Sequence, residues 1–92
     1  MTDMAEYFTY KILKPTGDVA YVGYTKDPYK RELSHLQYRH GKYSDTDYTF
    51  NIVGKYTNDY EARYHEERLK RELGMKGEMG DKRFQYYQKK FG

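Results

Sequence analysis

The stretch GDVAYVGYTKDPYKRELSHL, residues 17–36, decides the fold because one type of secondary structure ends within it and another begins. Its first part, Val19 to Tyr24, is rich in β-branched and aromatic residues, which favour a strand. Asp27 or Thr25 can then cap a helix, and Pro28 suits the first helical turn. The sequence therefore predicts a strand followed at once by a helix.

The residues before this stretch complete a hairpin. Tyr7 to Leu13 is also rich in aromatic and branched residues and is predicted to be a strand. Pro15 to Asp18, between the two runs, has the composition of a turn. Two strands joined by so short a turn pair in an antiparallel manner.

The register of this hairpin places tyrosines around a glycine. A turn centred near residues 16 and 17 puts Tyr10 opposite Gly23 and Ile12 opposite Tyr21. Because side chains alternate along a strand, these residues share one face with Phe8, and the glycine leaves a gap lined by phenols. The alternative is that Gly23 only ends the strand or forms a bulge.

The helix after the hairpin is predicted over about residues 28–40, ending near Gly41. Its apolar positions recur at helical spacing and should face the core; they are Tyr29, Leu33 and Leu36. Arg31, His35 and Tyr38 lie along the other side. On periodicity alone, that side is equally well explained as an ordinary solvated face.

The rest of the chain alternates in the same way. We predict a short helical turn at 42–47, a strand at 48–56, a helix at 59–73 capped by Asn58 or Asp59, and a last helix or loop at 81–90. The predicted order of the long elements is therefore strand, strand, helix, strand, helix.

One acid in the second long helix is out of pattern. The stripe Ala62, Glu66, Leu69 and Leu73 is apolar except for Glu66, whereas Glu61, Glu67 and Glu72 fall off the stripe and should be solvated. A carboxylate on a face that leans towards the core is costly unless it is paired or binds a metal. A structural salt bridge is the alternative to a metal site.

Length and composition limit the class of protein. The 92 residues suffice for one domain, taken as 1–92 with 76–92 as a basic extension. The absence of cysteine excludes disulfides and thiolate metal sites. No apolar run is long enough for a bilayer and the N-terminus lacks an apolar signal region, so no membrane partner and a cytoplasmic location are expected.

Charge and tyrosine content hint at a polyanionic partner. The net charge is +3, and residues 76–92 carry five basic residues against two acids. The basic residues are Lys76, Lys82, Arg83, Lys89 and Lys90. Such a tail can contact phosphates or can simply be solvated. Thirteen tyrosines can likewise build a core or stack on bases.

The ordered set of these residues resembles the GIY-YIG nuclease family. Its Gly-Ile-Tyr motif corresponds to Phe8-Thr9-Tyr10, and its Tyr-Ile-Gly motif to Tyr21-Val22-Gly23. Arg31 and His35 match the family's arginine and histidine in the following helix, and Glu66, with Leu69 three residues on, matches its metal-binding glutamate. The main departure is Phe8-Thr9 in place of Gly-Ile.

The resemblance implies an α+β fold, a small sandwich in which helices flank a three-stranded antiparallel sheet, and the predicted order of elements agrees with it. The resemblance also implies an endonuclease that hydrolyses DNA phosphodiester bonds with one metal ion. Glu66 would hold Mg²⁺ (or Mn²⁺), Arg31 would grip the scissile phosphate, and Tyr10 would take or relay the proton of the attacking water. Tyr21 would orient water or phosphate, and His35 would donate a hydrogen bond or relay a proton.

Substrate binding has fewer candidates. Only the basic tail remains to hold DNA, through Lys82, Arg83, Lys89 and Lys90. A homodimer or a separate DNA-targeting partner would supply further contacts, and small nucleases of this kind resemble those of phages or mobile elements. Two alternatives stay open: an inactive nucleic-acid-binding module on the same scaffold, and an interaction protein with no nucleic-acid role.

Overall fold

The computed structural model describes residues 6–34 and 48–92. Within these ranges the elements are β1 (Tyr7–Leu13), β2 (Val19–Thr25), α1 (Pro28–Glu32), β3 (Thr49–Tyr56), α2 (Asp59–Glu72) and α3 (Asp81–Phe91). The strands form one antiparallel sheet in the order β2-β1-β3, so the predicted α+β fold is confirmed. None of the helices described in these two ranges is both long and apolar enough to cross a bilayer.

The hairpin has the predicted register. Tyr10 pairs with Gly23, and Ile12 pairs with Tyr21. Gly17 has a φ of 93° in the turn, a conformation that glycine adopts at little cost because it lacks a Cβ. Strand β2 continues to Thr25, so Gly23 lies inside the strand and does not end it.

The core on the Tyr10 side of the sheet is built from rings. Tyr10 is 1% exposed and packs beside Ile12, which is fully buried. The Tyr10 ring stacks on Phe50 of β3 with centroids 4.6 Å apart. Tyrosine and phenylalanine bury large areas of apolar surface, so a few such rings supply much of the core of a short chain.

Helix α2 covers the other side of the sheet. The Thr9 hydroxyl donates to the Ala62 carbonyl oxygen at 3.1 Å, and both residues are buried. Asn58 caps the helix, because its side-chain oxygen accepts from the Tyr60 N–H at 2.8 Å. Thr9, at the main departure from the family motif, therefore joins β1 to α2.

Helix α3 packs on α2 through aromatic rings. The Tyr64 ring lies 5.4 Å from the Phe84 ring and 6.3 Å from the Phe91 ring, measured between centroids. Tyr64 is 1% exposed. The segment predicted as a last helix or loop is thus a helix whose apolar side is covered by α2.

Two predicted core positions are wrong. Tyr29 is 71% exposed, because the helical spacing of apolar residues in α1 does not decide which side of so short a helix meets the sheet. Leu73 is 43% exposed, because α2 ends at Glu72 and Leu73 already belongs to its C-cap. The predicted helix beyond Ser34, with His35, Leu36 and Tyr38, and the turn at 42–47 lie outside the described residues.

Candidate active site

Tyr10 and Tyr21 form a pair on the face that carries Gly23. Their ring centroids are 5.9 Å apart, and their hydroxyls share a hydrogen bond. A Cβ built on Gly23 would lie 2.6 Å from the Tyr10 hydroxyl oxygen and 2.9 Å from the Tyr21 ring. The predicted gap above Gly23 therefore exists, and the Tyr10 phenol fills it.

The environment of Tyr10 keeps its phenol protonated. Burial raises the pKa of Tyr10 far above its ordinary value, and the neighbouring Tyr21 raises this pKa further. The Arg31 charge lowers the pKa of Tyr10, and the Glu66 charge raises it. At neutral pH Tyr10 is thus a neutral hydroxyl that feels the charges of both residues.

Replacing Gly23 with alanine should disrupt this pair. The added methyl group has no room beside the Tyr10 hydroxyl, so we expect a loss of about 1–3 kcal/mol in the free energy of unfolding. Urea denaturation measures the loss. Gly80→Ala is the matched control, because a Cβ at Gly80 would meet nothing within 4 Å. Equal stability of the two variants would contradict the proposed packing.

Arg31 lines a cleft of about 700 Å³ at the end of β2. The Asp27 side chain accepts from the Lys30 N–H at 3.0 Å and so fixes the start of α1, which carries Arg31. Cationic side chains dominate the cleft: Lys26, Lys30, Arg31 and Arg63 against Asp27 and Asp59. A cleft with this charge favours an anionic ligand.

Glu66 lines a second cleft of about 230 Å³, together with Tyr24, Arg63, Glu67, Glu78, Met79 and Arg83. Its side chain is 15% exposed and lies 4.0 Å from Lys70 Nζ. Burial raises the pKa of the Glu66 carboxyl above its ordinary value; Lys70 lowers this pKa, and Glu78 raises it. Glu66 is thus ion-paired with Lys70, as the structural alternative expected, and this pair offsets only part of the cost of burying the carboxylate.

The two clefts share Tyr24 and Arg63 as a common wall. Arg63 Nε donates to the Tyr24 hydroxyl at 2.7 Å and lies 3.5 Å from Asp59. Both of these contacts use Nε of the guanidinium. The sequence prediction missed both residues, although Tyr24 directly follows Gly23 and Arg63 precedes Glu66 by one turn.

Glu67 was predicted to be solvated, and this prediction is wrong because the side chain is 3% exposed. Its carboxylate accepts from the backbone N–H groups of Glu78 and Met79 at 3.0 and 3.3 Å, and from Arg71 Nε at 3.0 Å. A Cβ at Gly77 would overlap this carboxylate. Glu67 thus binds the loop before α3 to α2, whereas the ion pair of Glu66 is with a side chain, that of Lys70.

Of the predicted catalytic residues, Arg31 and Glu66 line the two clefts, and the others lie elsewhere or outside the described residues. Arg31 and Glu66 line adjoining clefts, and both charges act on Tyr10. Tyr10 and Tyr21 are not among the residues that line the two clefts, and both lie on the face of the hairpin that carries Gly23. His35 lies outside the described residues. Arg83 of the basic tail lines the Glu66 cleft, and Lys82, Lys89 and Lys90 are exposed on α3.

The residues around Glu66 fit a hard cation that keeps most of its water. The Glu66 carboxyl lines the cleft with a pKa raised by burial, and a bound cation would relieve that cost. In residues 6–34 and 48–92 no group of three or more acidic or histidine side chains could cage a metal by itself. This donor set suits Mg²⁺ or Mn²⁺ better than an ion that needs a full protein shell.

The structure is a small α+β domain with a three-stranded antiparallel sheet. A cleft lined mainly by cations, Arg31 among them, adjoins a second cleft lined by Glu66. The family model for the GIY-YIG catalytic domain matches residues 6–87, and the chain belongs to this family of nucleases. No curated protein and no solved structure matches the chain significantly.

Proposed function

We propose that this protein is an endonuclease that hydrolyses DNA phosphodiester bonds with one divalent cation, Mg²⁺ or Mn²⁺. One observation carries the proposal: the cationic cleft of Arg31 and the acidic residue Glu66 meet at the shared wall of Tyr24 and Arg63. Phosphodiester hydrolysis needs positive charge near the phosphate and a water held by the cation. The first cleft offers Arg31 and Arg63 for the phosphate, and the second offers the Glu66 carboxylate for the cation.

Glu66 would hold the cation, with water completing its coordination. Bound there, the cation would stabilise the negative charge that develops on the phosphate. Glu67 is not a ligand in this proposal, because two backbone N–H groups and Arg71 already occupy its oxygens. Arg83 and Arg63 flank Glu66 and limit the negative potential that a phosphate would meet there.

Arg31 would bind the scissile phosphate through its planar fork of donors. The capped start of α1 supports this role, because it fixes the backbone from which the guanidinium extends. Arg63 offers a second guanidinium in the same cleft, oriented by the Tyr24 hydroxyl. We assign it to the same phosphate or to the next one along the strand.

The two tyrosines would act as a hydrogen-bonded pair. Tyr21 is half-buried and would orient the attacking water, and Tyr10 would relay its proton while remaining neutral. A relay suits the raised pKa of Tyr10 better than a standing phenolate does, because burial disfavours the charged form. His35 is kept in the proposal as a hydrogen-bond donor or second relay.

The substrate is proposed to be DNA, held outside the cleft by Lys82, Lys89 and Lys90 of α3. A homodimer or a separate DNA-targeting partner would extend the contact. An origin in a phage or mobile element accords with so small a nuclease. The alternative, an inactive binding module, is based on Phe8-Thr9 in place of Gly-Ile. Thr9, however, hydrogen-bonds to Ala62 of α2, and Tyr10 and Tyr21 still pack against each other.

Arg31→Ala should lower Mg²⁺-dependent nicking of a supercoiled plasmid by about a hundredfold or more, the usual cost of losing one positioned group that stabilises transition-state charge. Arg31→Lys should restore only part of the rate, because lysine keeps the charge and loses the fork. Lys14→Ala is the matched control, since Lys14 is an exposed cation at the tip of the hairpin. Gel quantification of nicked product measures all four proteins.

Three outcomes would contradict the proposal in different ways. Nicking that survives both Arg31→Ala and Glu66→Gln would place cleavage elsewhere or in a contaminant. Binding of DNA without nicking under any metal would favour the inactive module. Failure to bind DNA even at low salt would favour an interaction protein, because phosphate binding strengthens as salt is lowered.

A further inference from the structure

One side of α3 carries a stripe of basic and aromatic residues at helical spacing. Its members are Arg83, Tyr86, Tyr87 and Lys90. Each tyrosine lies three or four residues from Arg83 and from Lys90, so the four residues share a face. We call these residues the α3 stripe. Arg83, at its first turn, lines the cleft that holds Glu66, so the stripe begins at the candidate active site.

The rings of the stripe form a stack that remains accessible. Tyr87 stacks on Tyr60 of α2 with centroids 5.7 Å apart, and Tyr86 meets the edge of Tyr87 at 5.1 Å. Tyr86 is 60% exposed and Tyr60 is 49% exposed. Phe84 and Phe91 pack α3 onto Tyr64 of α2. The exposed ring of Tyr86 is therefore not needed for this packing.

The charge around these rings favours a polyanion over another protein. Helix α3 carries Lys82, Arg83, Lys89 and Lys90 against Asp81 alone, and Asp81 is paired with Arg71 at 3.0 Å. Exposed rings flanked by cations are the usual combination for a single nucleic-acid strand, since bases stack on rings while phosphates contact cations. Paired bases in a duplex present only their edges to a protein, so they cannot stack in this way.

We propose that the α3 stripe, together with Tyr60, binds an unpaired nucleic-acid strand that leaves the Glu66 cleft. Bases stack on Tyr86 and Tyr60, and phosphates contact Arg83 and Lys90. This inference rests on the proposed function only for the path of the strand through the cleft. The stacking itself requires no catalysis and can be measured alone.

The test uses the full chain carrying Glu66→Gln, so that bound DNA is not cut, and a fluorescently labelled oligothymidine read by anisotropy. Tyr86→Ala in this background should weaken binding at least about fivefold, the minimum expected for one stacked base. Tyr86→Phe should bind as the parent does, because it keeps the ring. Tyr29→Ala is the control, since Tyr29 is 71% exposed on α1 and lies outside the stripe.

A second measurement ties the stripe to the cleft. Unlabelled oligothymidine should inhibit plasmid nicking by the wild type, and Tyr86→Ala should raise the concentration needed for half inhibition by about the same factor. Equal oligothymidine binding by Tyr86→Ala and its parent would overturn the inference while leaving nicking, and hence the proposed function, intact. Absence of nicking with Tyr86-dependent binding retained would reject the proposed function alone.

Self-association is the remaining explanation for the exposed rings. If the wild type elutes as a dimer in size-exclusion chromatography and Tyr86→Ala elutes as a monomer at equal concentration, the stripe is an interface between copies and the inference is overturned. A loss of binding of equal size in Tyr29→Ala would overturn it as well, because any exposed ring would then serve.

Discussion

Glu66→Gln should reduce Mg²⁺-dependent plasmid nicking by about a thousandfold or more. The amide cannot supply the negative charge that holds the cation, and loss of a bound metal removes several kcal/mol of transition-state stabilisation. Glutamine keeps the shape of the side chain in the cleft, so the loss reports on charge alone. Rates of nicking over a range of Mg²⁺ concentrations measure it.

The same substitution should leave the metal-free protein as stable as the wild type or more stable. A carboxyl whose pKa is higher in the folded than in the unfolded state stabilises the fold while protonated, and this contribution is lost as pH rises through the folded-state pKa. Burial raises the pKa of Glu66, so its charge opposes folding at neutral pH. Thermal unfolding at pH 7 in EDTA should therefore give an equal or higher Tm for Glu66→Gln.

The wild type supplies a further check on Glu66. Lowering the pH through the raised pKa of Glu66 protonates this carboxyl, so Mg²⁺ affinity and nicking should fall together. Protonation of Glu66 should not lower the melting temperature in EDTA, because the neutral carboxyl is the form that burial favours. Glu72→Gln, at an exposed acid on the same helix, is the matched control and should keep full activity. Loss of activity of equal size in Glu72→Gln would refute the assignment of Glu66.

Glu67→Ala should lower the free energy of unfolding by about 2 kcal/mol or more. The change removes the acceptor for the backbone N–H groups of Glu78 and Met79, and leaves these part-buried donors and the Arg71 guanidinium without that partner. Urea denaturation measures the loss. Glu67→Gln should cost less, because its amide oxygen can still accept from the same N–H groups.

Adjacent residues thus provide opposite controls. Glu66→Gln should lose nicking and keep stability, and Glu67→Ala should lose stability while the remaining folded fraction nicks in the presence of Mg²⁺. Full stability of Glu67→Ala, or complete loss of nicking in its folded fraction at low temperature, would contradict the division of roles between the two carboxylates.

Local sequence determines much of the fold. The hairpin register follows from one turn and two runs of β-branched and aromatic residues, so the opposition of Tyr10 and Gly23 could be predicted. The Asn58 cap marks the start of α2 in the same local way. These features depend on residues close in sequence, which is the range that periodicity and capping rules describe.

Features that depend on distant elements could not be predicted from periodicity. Glu66 and Glu67 lie about 100° apart around the axis of α2, and this rotation predicts that Glu67 is solvated. Glu67 is buried because the loop before α3, which is distant from it in the predicted pattern, packs over its carboxylate and donates backbone N–H groups to it. The Tyr24–Arg63 wall likewise joins residues 39 positions apart. The exposure of Tyr29 depends on what packs over α1, which helical spacing does not encode.

The hydrogen bonds of the Glu67 carboxylate with the loop before α3 also limit where this domain can be truncated or fused to another protein. A fusion that ended the domain near residue 75, just after α2, would remove the loop donors and leave the buried Glu67 carboxylate with Arg71 alone. A graft onto a programmable DNA-targeting module should therefore retain residues through Phe91 and attach its linker after that residue. A fusion that ends near residue 75 should be insoluble or sensitive to proteases.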